Sequence, residues 1–265
     1  MLLHSNFKIK PSLKFSSVLF FTVIFSGSTW AFKYSFSSAK SYFNYQEFSQ
    51  EGSQLNKESG WLTDVGLSVR TNNESRHLFS SSLNYQFGHI QYEGQLQSGA
   101  KHLTKTSEDI FYLKSAYTYK VSPKYEVGLS IGQSVWQRDI LQKAGALGLY
   151  EEYRWKNISL YQKLRYENVN VDIFMGVLVD GELNIDLSES GLGEIHIPLE
   201  DGLEAQLNVF SPLPYFLQWN SQVFISFIYR EFPRSEDVKV GRYSFSEPRS
   251  KLGQLAIGLS VDWAN

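Results

Sequence analysis

The stretch that most constrains this chain lies near its end, where Leu252 to Trp263 reads L-G-Q-L-A-I-G-L-S-V-D-W. Leu255, Ile257, Leu259, Val261 and Trp263 fall on one parity; Gln254, Ala256, Gly258, Ser260 and Asp262 fall on the other. A strict period of two puts the two sets on opposite faces of a β-strand. One face is a continuous apolar row and the other is small or polar. The same pattern recurs along the chain. The composition fits it: Tyr, Phe, Ser and Gly are abundant, Pro and Met are scarce, and there is no Cys. Strands then have to be held by pairing and packing, because a disulfide scaffold is excluded.

The first 31 residues read as a cleaved signal peptide. Lys8, Lys10 and Lys14 form a positive segment without an acid, and Phe15 to Phe25 form an apolar core too short to span a bilayer as a helix. Small residues from Ser26 lead to cleavage after Ala31. The remaining chain, 32–265, carries 22 basic and 27 acidic side chains, net −5. Without a basic tract, nothing in it points to nucleic acid.

After Phe32 no stretch is long and apolar enough for a membrane helix, and alternating segments follow one another instead. The first runs from Phe32 to about Phe48, and a polar stretch follows it to Gly60. The second sends Val65, Leu67 and Val69 one way and Asp64, Gly66, Ser68 and Arg70 the other, ending at a tight turn, Asn72-Asn73-Glu74-Ser75. The third runs from Arg76 to about Leu96, with a bulge expected at Gly88. Ser98 to Asp109 reads as a long loop. The fourth (Ile110 to Val121) and fifth (from Tyr125) flank the turn at Ser122-Pro123-Lys124, and the sixth spans Leu149 to Tyr166. The seventh, Asn170 to Leu187, groups Val171, Ile173, Met175, Val177, Val179, Leu183 and Ile185 against Asp172, Asp180, Glu182, Asn184 and Asp186. The eighth is about Pro198 to Phe210 and the ninth Leu217 to Phe232. Pro233 to Ser250 reads as the longest charged loop.

With the final stretch this makes about ten strands, an even number with alternately long and short connections. The fold class expected is all-β: an antiparallel up-and-down transmembrane β-barrel, apolar outside and polar inside. Tight turns and both termini would face the periplasm, and long polar loops the exterior. A secreted soluble β-barrel that binds a small ligand is the alternative. Its core would have to be the Tyr, Phe and Trp rows, because the opposite face is a poor core.

Three segments carry a family resemblance: Trp136-Gln137-Arg138-Asp139-Ile140, Tyr150-Glu151-Glu152-Tyr153-Arg154-Trp155 and Glu247-Pro248-Arg249-Ser250. With Tyr92-Glu93-Gly94 they make the chain similar to a family of small Gram-negative outer-membrane β-barrel proteins to which no activity is attached. The resemblance implies the fold and an outer-membrane location. Outer-membrane lipid and the barrel assembly machinery would be the partners of a monomer. Barrels of this kind usually end on an aromatic residue; here Ala264-Asn265 follow Trp263.

Candidate chemistry is sparse. A ten-stranded barrel resembles the omptin proteases, which use an Asp pair and a His–Asp pair at the extracellular rim; lipid A-modifying hydrolases use a Ser/His/acid set. Among His77, His89, His102 and His196, only Glu194-Ile195-His196 is suggestive, and alternation alone produces such pairs. Metal-ligand spacing is absent, and neither a cofactor nor a catalytic residue is assigned. The more specific expectation is a lumen charge cluster in which Arg138 and Arg230 pair with Asp180 and Glu182. It would serve as a ligand site, as a charge-selective constriction, or as the ion pairs that fill a narrow barrel. A non-enzymatic structural, binding or small-pore role is the expectation.

Overall fold

The computed structural model describes residues 32–71, 75–95, 100–143, 148–188, 191–213 and 220–264. The signal-peptide reading of 1–31 and the turn at 72–74 lie outside them. Thirteen strands are described: β1 (Phe32–Phe48), β2 (Gln54–Thr71), β3 (His77–Gln95), β4 (Lys101–Ser122), β5 (Tyr125–Ile140), β6 (Leu149–Tyr166), β7 (Val169–Leu187), β8 (Gly193–Leu199), β9 (Gly202–Pro212), β10 (Asn220–Phe232), β11 (Val238–Val240), β12 (Tyr243–Phe245) and β13 (Arg249–Ala264). Neighbours pair antiparallel in the order β6-β5-β4-β3-β2-β1-β13-β10-β9-β7, and β6 pairs with β7, so ten staves close a barrel. β8 continues the line of β9 along the same edge of β7. β11 and β12 form a separate two-stranded sheet. The final strand closes the barrel against the first, in unbroken register from Lys33–Ala264 to Phe48–Arg249.

The strands are longer than a membrane requires. β4 has 22 residues, whereas a tilted transmembrane strand needs about 9–11. A ring of outward side chains marks where the lipid-facing part ends: Tyr42, Trp61, Phe87, Phe111, Val135, Ile158, Val177, Leu203, Tyr229 and Leu255. Many are direct partners, among them Tyr42–Trp61, Phe111–Val135, Ile158–Val177 and Tyr42–Leu255. Between this ring and the end that carries both termini, the outward residues are predominantly apolar and exposed, as with Leu67, Leu129, Ile131, Met175 and Leu259. Interruptions include Lys40, whose Nζ donates to Thr63 Oγ1 at 2.8 Å. Tyr34 and Trp263 stack at the terminal rim, 6.1 Å apart, in the manner of an aromatic girdle. The strand segments beyond the ring form a head at the end of the barrel opposite both termini.

At the ring the amphipathic pattern inverts. On β1, Tyr34 and Phe36 point out below it and Ser35 and Ser37 point in; above it Phe43 and Tyr45 are wholly buried inside, while Asn44 and Gln46 face out. On β6, Ile158 and Leu160 face out below, whereas Tyr153 and Trp155 face in above. The cause is a change of solvent. A lower half with apolar groups outward has the pattern of a wall set in lipid, and a head with apolar groups inward that of a wall bathed in water. The head therefore has a core of its own, built from Phe43, Tyr45, Leu62, Ile90, Ile110, Trp136, Tyr153, Trp155, Leu183, Ile195, Phe232 and Leu252 among others.

Several sequence expectations change accordingly. The polar stretch before Gly60 and the expected loop from Ser98 to Asp109 are largely strand. Their alternation is that of a water-bathed wall, so the lipid pattern missed them. Most extracellular connections are short, and 233–248 is the long one among those described. The bulge expected at Gly88 does not occur: β3 keeps one register with β4 from His77 to Gln95. A bulge lies on β7 instead, where the register with β6 shifts between Arg154 and Lys156 and Asp180 adopts φ 51°. In β7 the apolar parity of the sequence does not change, so the inversion is made by the backbone. The extra residue turns Leu183 from the outside to the inside.

Candidate functional site

The bulge decides the fate of the predicted charge cluster. Arg138 and Arg230 point into the barrel and are 1% and 2% exposed. Asp180 and Glu182 do not join them. Beyond the bulge both are exposed on the outside, where Asp180 pairs with Lys156 at 2.8 Å and Glu182 lies 3.9 Å from Arg154. Arg154 also pairs with Glu152 at 2.7 Å on that exterior face. The two lumen arginines sit in different networks, with different acids.

Arg138 lies at the centre of the head. Its guanidinium bonds Glu58, donates to Glu151 Oε2 at 2.7 Å and to Tyr153 Oη at 2.9 Å, and lies 3.5 Å from Glu47. The Tyr45 and Trp136 rings flank it at 4.7 and 5.2 Å. Trp136 Nε1 donates to Glu108, whose carboxyl group lies beside that of Glu58. Glu247 accepts from Tyr45 Oη at 2.9 Å and Tyr153 Oη at 3.1 Å. Five carboxyl groups thus surround one cation in a space closed to water. Burial raises Glu108 and Glu247 well above the usual carboxylate range, and the neighbouring glutamates Glu58 and Glu47 push in the same direction. Burial pushes Glu151 up to about 7 despite the opposing pull of Arg138. The cluster thus gathers five carboxyl groups about one arginine.

Arg230 belongs to the roof of a different space. Its Nε donates to Glu204 Oε2 at 2.7 Å and its Nη1 to Tyr112 Oη at 2.9 Å. Glu204 also accepts from Asn157 at 3.1 Å and faces Lys114 at 3.6 Å. Beneath this roof the lower half encloses a polar cavity of about 420 Å³, lined down to Lys33, Arg70, Arg165 and Asp262 near the periplasmic rim. Every cation on its wall has an acid. Lys33 pairs with Asp262 at 2.7 Å, Lys163 with Asp172 at 3.4 Å, and Arg70 and Arg165 share Glu126 at 2.5 Å each. This is the charge pairing a narrow lumen requires.

Among the described residues the histidines do not come together with a serine and an acid in the order hydrolysis needs. His77 bonds Tyr117 at the periplasmic end, at 2.6 Å, and exposed His196 bonds Asn184. One exterior row was not evident from the sequence: His89 of β3, Ser107 of β4 and Asp139 of β5 are direct partners just above the ring. Its order is wrong for nucleophilic catalysis, because the base must stand between nucleophile and acid. Here the serine stands between them.

Ten closed antiparallel staves, an apolar lower exterior and a polar lower lumen decide the fold. It is that of the outer-membrane β-barrel proteins. The likeness to a solved structure agrees. The outer membrane protease OmpT from Escherichia coli superposes with a TM-score of 0.54 at 9% identity, over 91% of this chain and 99% of that one. The translocator domain of the autotransporter NalP from Neisseria meningitidis matches with a TM-score of 0.45 at 9% identity, over 90% of each chain. At such identities the likeness to OmpT is one of fold alone. Neither a protein-family model nor a curated protein sequence matches the chain.

Proposed function

We propose that the protein is a non-enzymatic, monomeric outer-membrane barrel of the Gram-negative envelope. In this reading a signal peptide, 1–31, directs its export, the barrel assembly machinery inserts it, and outer-membrane lipid surrounds its lower half. Its role is structural or binding: it holds a rigid head outside the cell and does not conduct. The observation that supports this reading is the core of the head. Trp136, Trp155, Phe43 and Tyr45 lie across the lumen and are at most 2% exposed. The neighbours Trp136 and Tyr153 stack with centroids 4.7 Å apart. Small barrels filled by side chains leave no continuous water path.

The test is single-channel recording of the purified barrel in planar bilayers at pH 5. A silent membrane is expected, with insertion verified by heat-modifiable migration on gels. Discrete conductance steps from the wild-type protein would overturn the sealed-head reading.

A further inference from the structure

The segment from Pro233 to Pro248 is attached to the head in an unusual way. Its β11–β12 hairpin pairs only with itself and belongs to no barrel sheet. Val238, Val240 and Phe245 rest against the apolar core as partly buried neighbours. The segment is folded back on itself where Ser235 N donates to the Glu247 carbonyl at 3.0 Å and Glu247 N donates to Ser235 Oγ at 2.8 Å. The polar side-chain anchor to the barrel is Glu247, 4% exposed, held by the Tyr45 and Tyr153 hydroxyls. A carboxyl group thus docks a segment that lies outside the barrel sheet onto a cluster that already holds four others.

We infer that residues 233–248 form a lid held shut by protons, closed when the glutamate cluster is protonated and released when it ionises. The proposal rests on the sealed-head reading and adds a regulated element to it. The charge geometry carries the argument. Glu47 of β1 and Glu151 of β6 face Glu247 directly, and Arg138 of β5 is the cation that offsets them. Behind these lie Glu58 of β2 and Glu108 of β4, with the phenol of Tyr92 from β3 beside them. Of the remaining walls, β7, β8 and β13 contribute Leu183, Ile195 and Leu252, and β10 contributes Phe232 and, one step below it, Arg230, whose charge is already held by Glu204 with a bond to Tyr112. Full ionisation would leave five negative charges against one positive charge, without water to screen them.

Two buried oxygens point the same way independently. Glu58 Oε2 and Glu108 Oε1 have no hydrogen-bond partner when both groups are treated as carboxylates, although the two side chains are within hydrogen-bonding reach of each other. A proton shared between them satisfies both oxygens. Deprotonation breaks that bond and adds repulsion throughout the cluster. Among the cluster's carboxyl groups only that of Glu247 lies on a segment that can move away, because the other four lie on barrel strands.

The sign of the pH effect follows. Burial raises the folded-state carboxyl groups of Glu108 and Glu247 above their unfolded value, and that of Glu151 to about 7. Docking is therefore favoured at low pH and lost as pH rises through neutrality.

The chain has no cysteine, so spin labels can be placed at Gln50→Cys in the β1–β2 turn and Ser244→Cys on the hairpin, both exposed positions. In the full barrel in lipid vesicles, pulsed electron paramagnetic resonance is expected to give one narrow distance at pH 5. At pH 8.5 at least half of the population should shift to a broad, longer distribution. Glu247→Gln should hold the narrow distance at pH 8.5, and Glu47→Gln, which leaves the lid intact, should move the midpoint upward by about one pH unit. Glu236→Gln, an exposed acid of the same segment, should leave it unchanged. A pH-independent distance in the wild type, or transitions unmoved in both Glu247→Gln and Glu47→Gln, would overturn the lid. Conductance of the wild type at pH 5 would instead remove the sealed head on which it rests.

Discussion

Replacing Arg138 with Met tests whether one cation organises the head. The guanidinium is 1% exposed and touches Glu58, Glu151 and Glu47. Removing one partner of a buried ion pair costs about 3–5 kcal/mol, and loss of the contacts to the Tyr45 and Trp136 rings adds about 1 kcal/mol. The protein can reduce the charge term by protonating a freed carboxylate. From an ordinary Glu pKa, that protonation costs about 5 kcal/mol at pH 8 and only about 1 kcal/mol at pH 5. The variant should therefore lose about 4–6 kcal/mol at pH 8 and about 2 kcal/mol at pH 5. The wild type should show the same sign more weakly. The raised Glu151 carboxyl stabilises the fold below the unfolded value near 4.5, and that contribution is lost as pH rises through about 7. The assay is urea unfolding in detergent micelles, followed by tryptophan fluorescence at both pH values. A loss under 1 kcal/mol at pH 8, or equal losses at the two pH values, would refute the arrangement.

Two further substitutions test the wall. Leu183→Ala should destabilise by about 2–5 kcal/mol, because the bulge buries Leu183 completely, while Glu182→Ala should stay within about 0.5 kcal/mol; the reverse order in unfolding titrations would put the seventh stave back in its unbulged phase. Leu259→Arg, on the lipid face and 55% exposed, should impair assembly by about 2–4 kcal/mol if mid-membrane, whereas Ser260→Gln, facing the cavity, should be tolerated in heat-modifiability assays; equal tolerance of both would reverse the assignment of the faces.

The lower half of the barrel could be read directly from the residues. Val65, Leu67 and Val69, or Leu255 to Trp263, carry a period of two that has one solution in lipid, and register with β1 follows once the last strand must close the sheet. Arg138 and Arg230 were placed inside by the same parity. Their acids were not. Glu58 and Glu108 stand in stretches that read as loops, and Glu247 in the longest loop of all. None of the three lies in a segment whose alternation matches a membrane strand, and each reaches Arg138 only because the walls continue upward as a water-bathed head. Asp180 and Glu182 failed for a different reason. Their parity was right for an unbroken strand, and one residue with φ 51° reversed it.

What the residues alone determined was the type of wall and the face each side chain takes where the surroundings are uniform. Burial is a contrast between two sides of a strand, and parity expresses it whenever one side is known. Only the tertiary structure decided how high each residue sits, and so whether lipid or water lies outside it. Along β1 that height turns Phe36 outward and Phe43 inward under the same physical rule. On Leu252 to Trp263 it separates the buried Leu252 of the head from the exposed Leu255 to Trp263 of the membrane wall, within one strand.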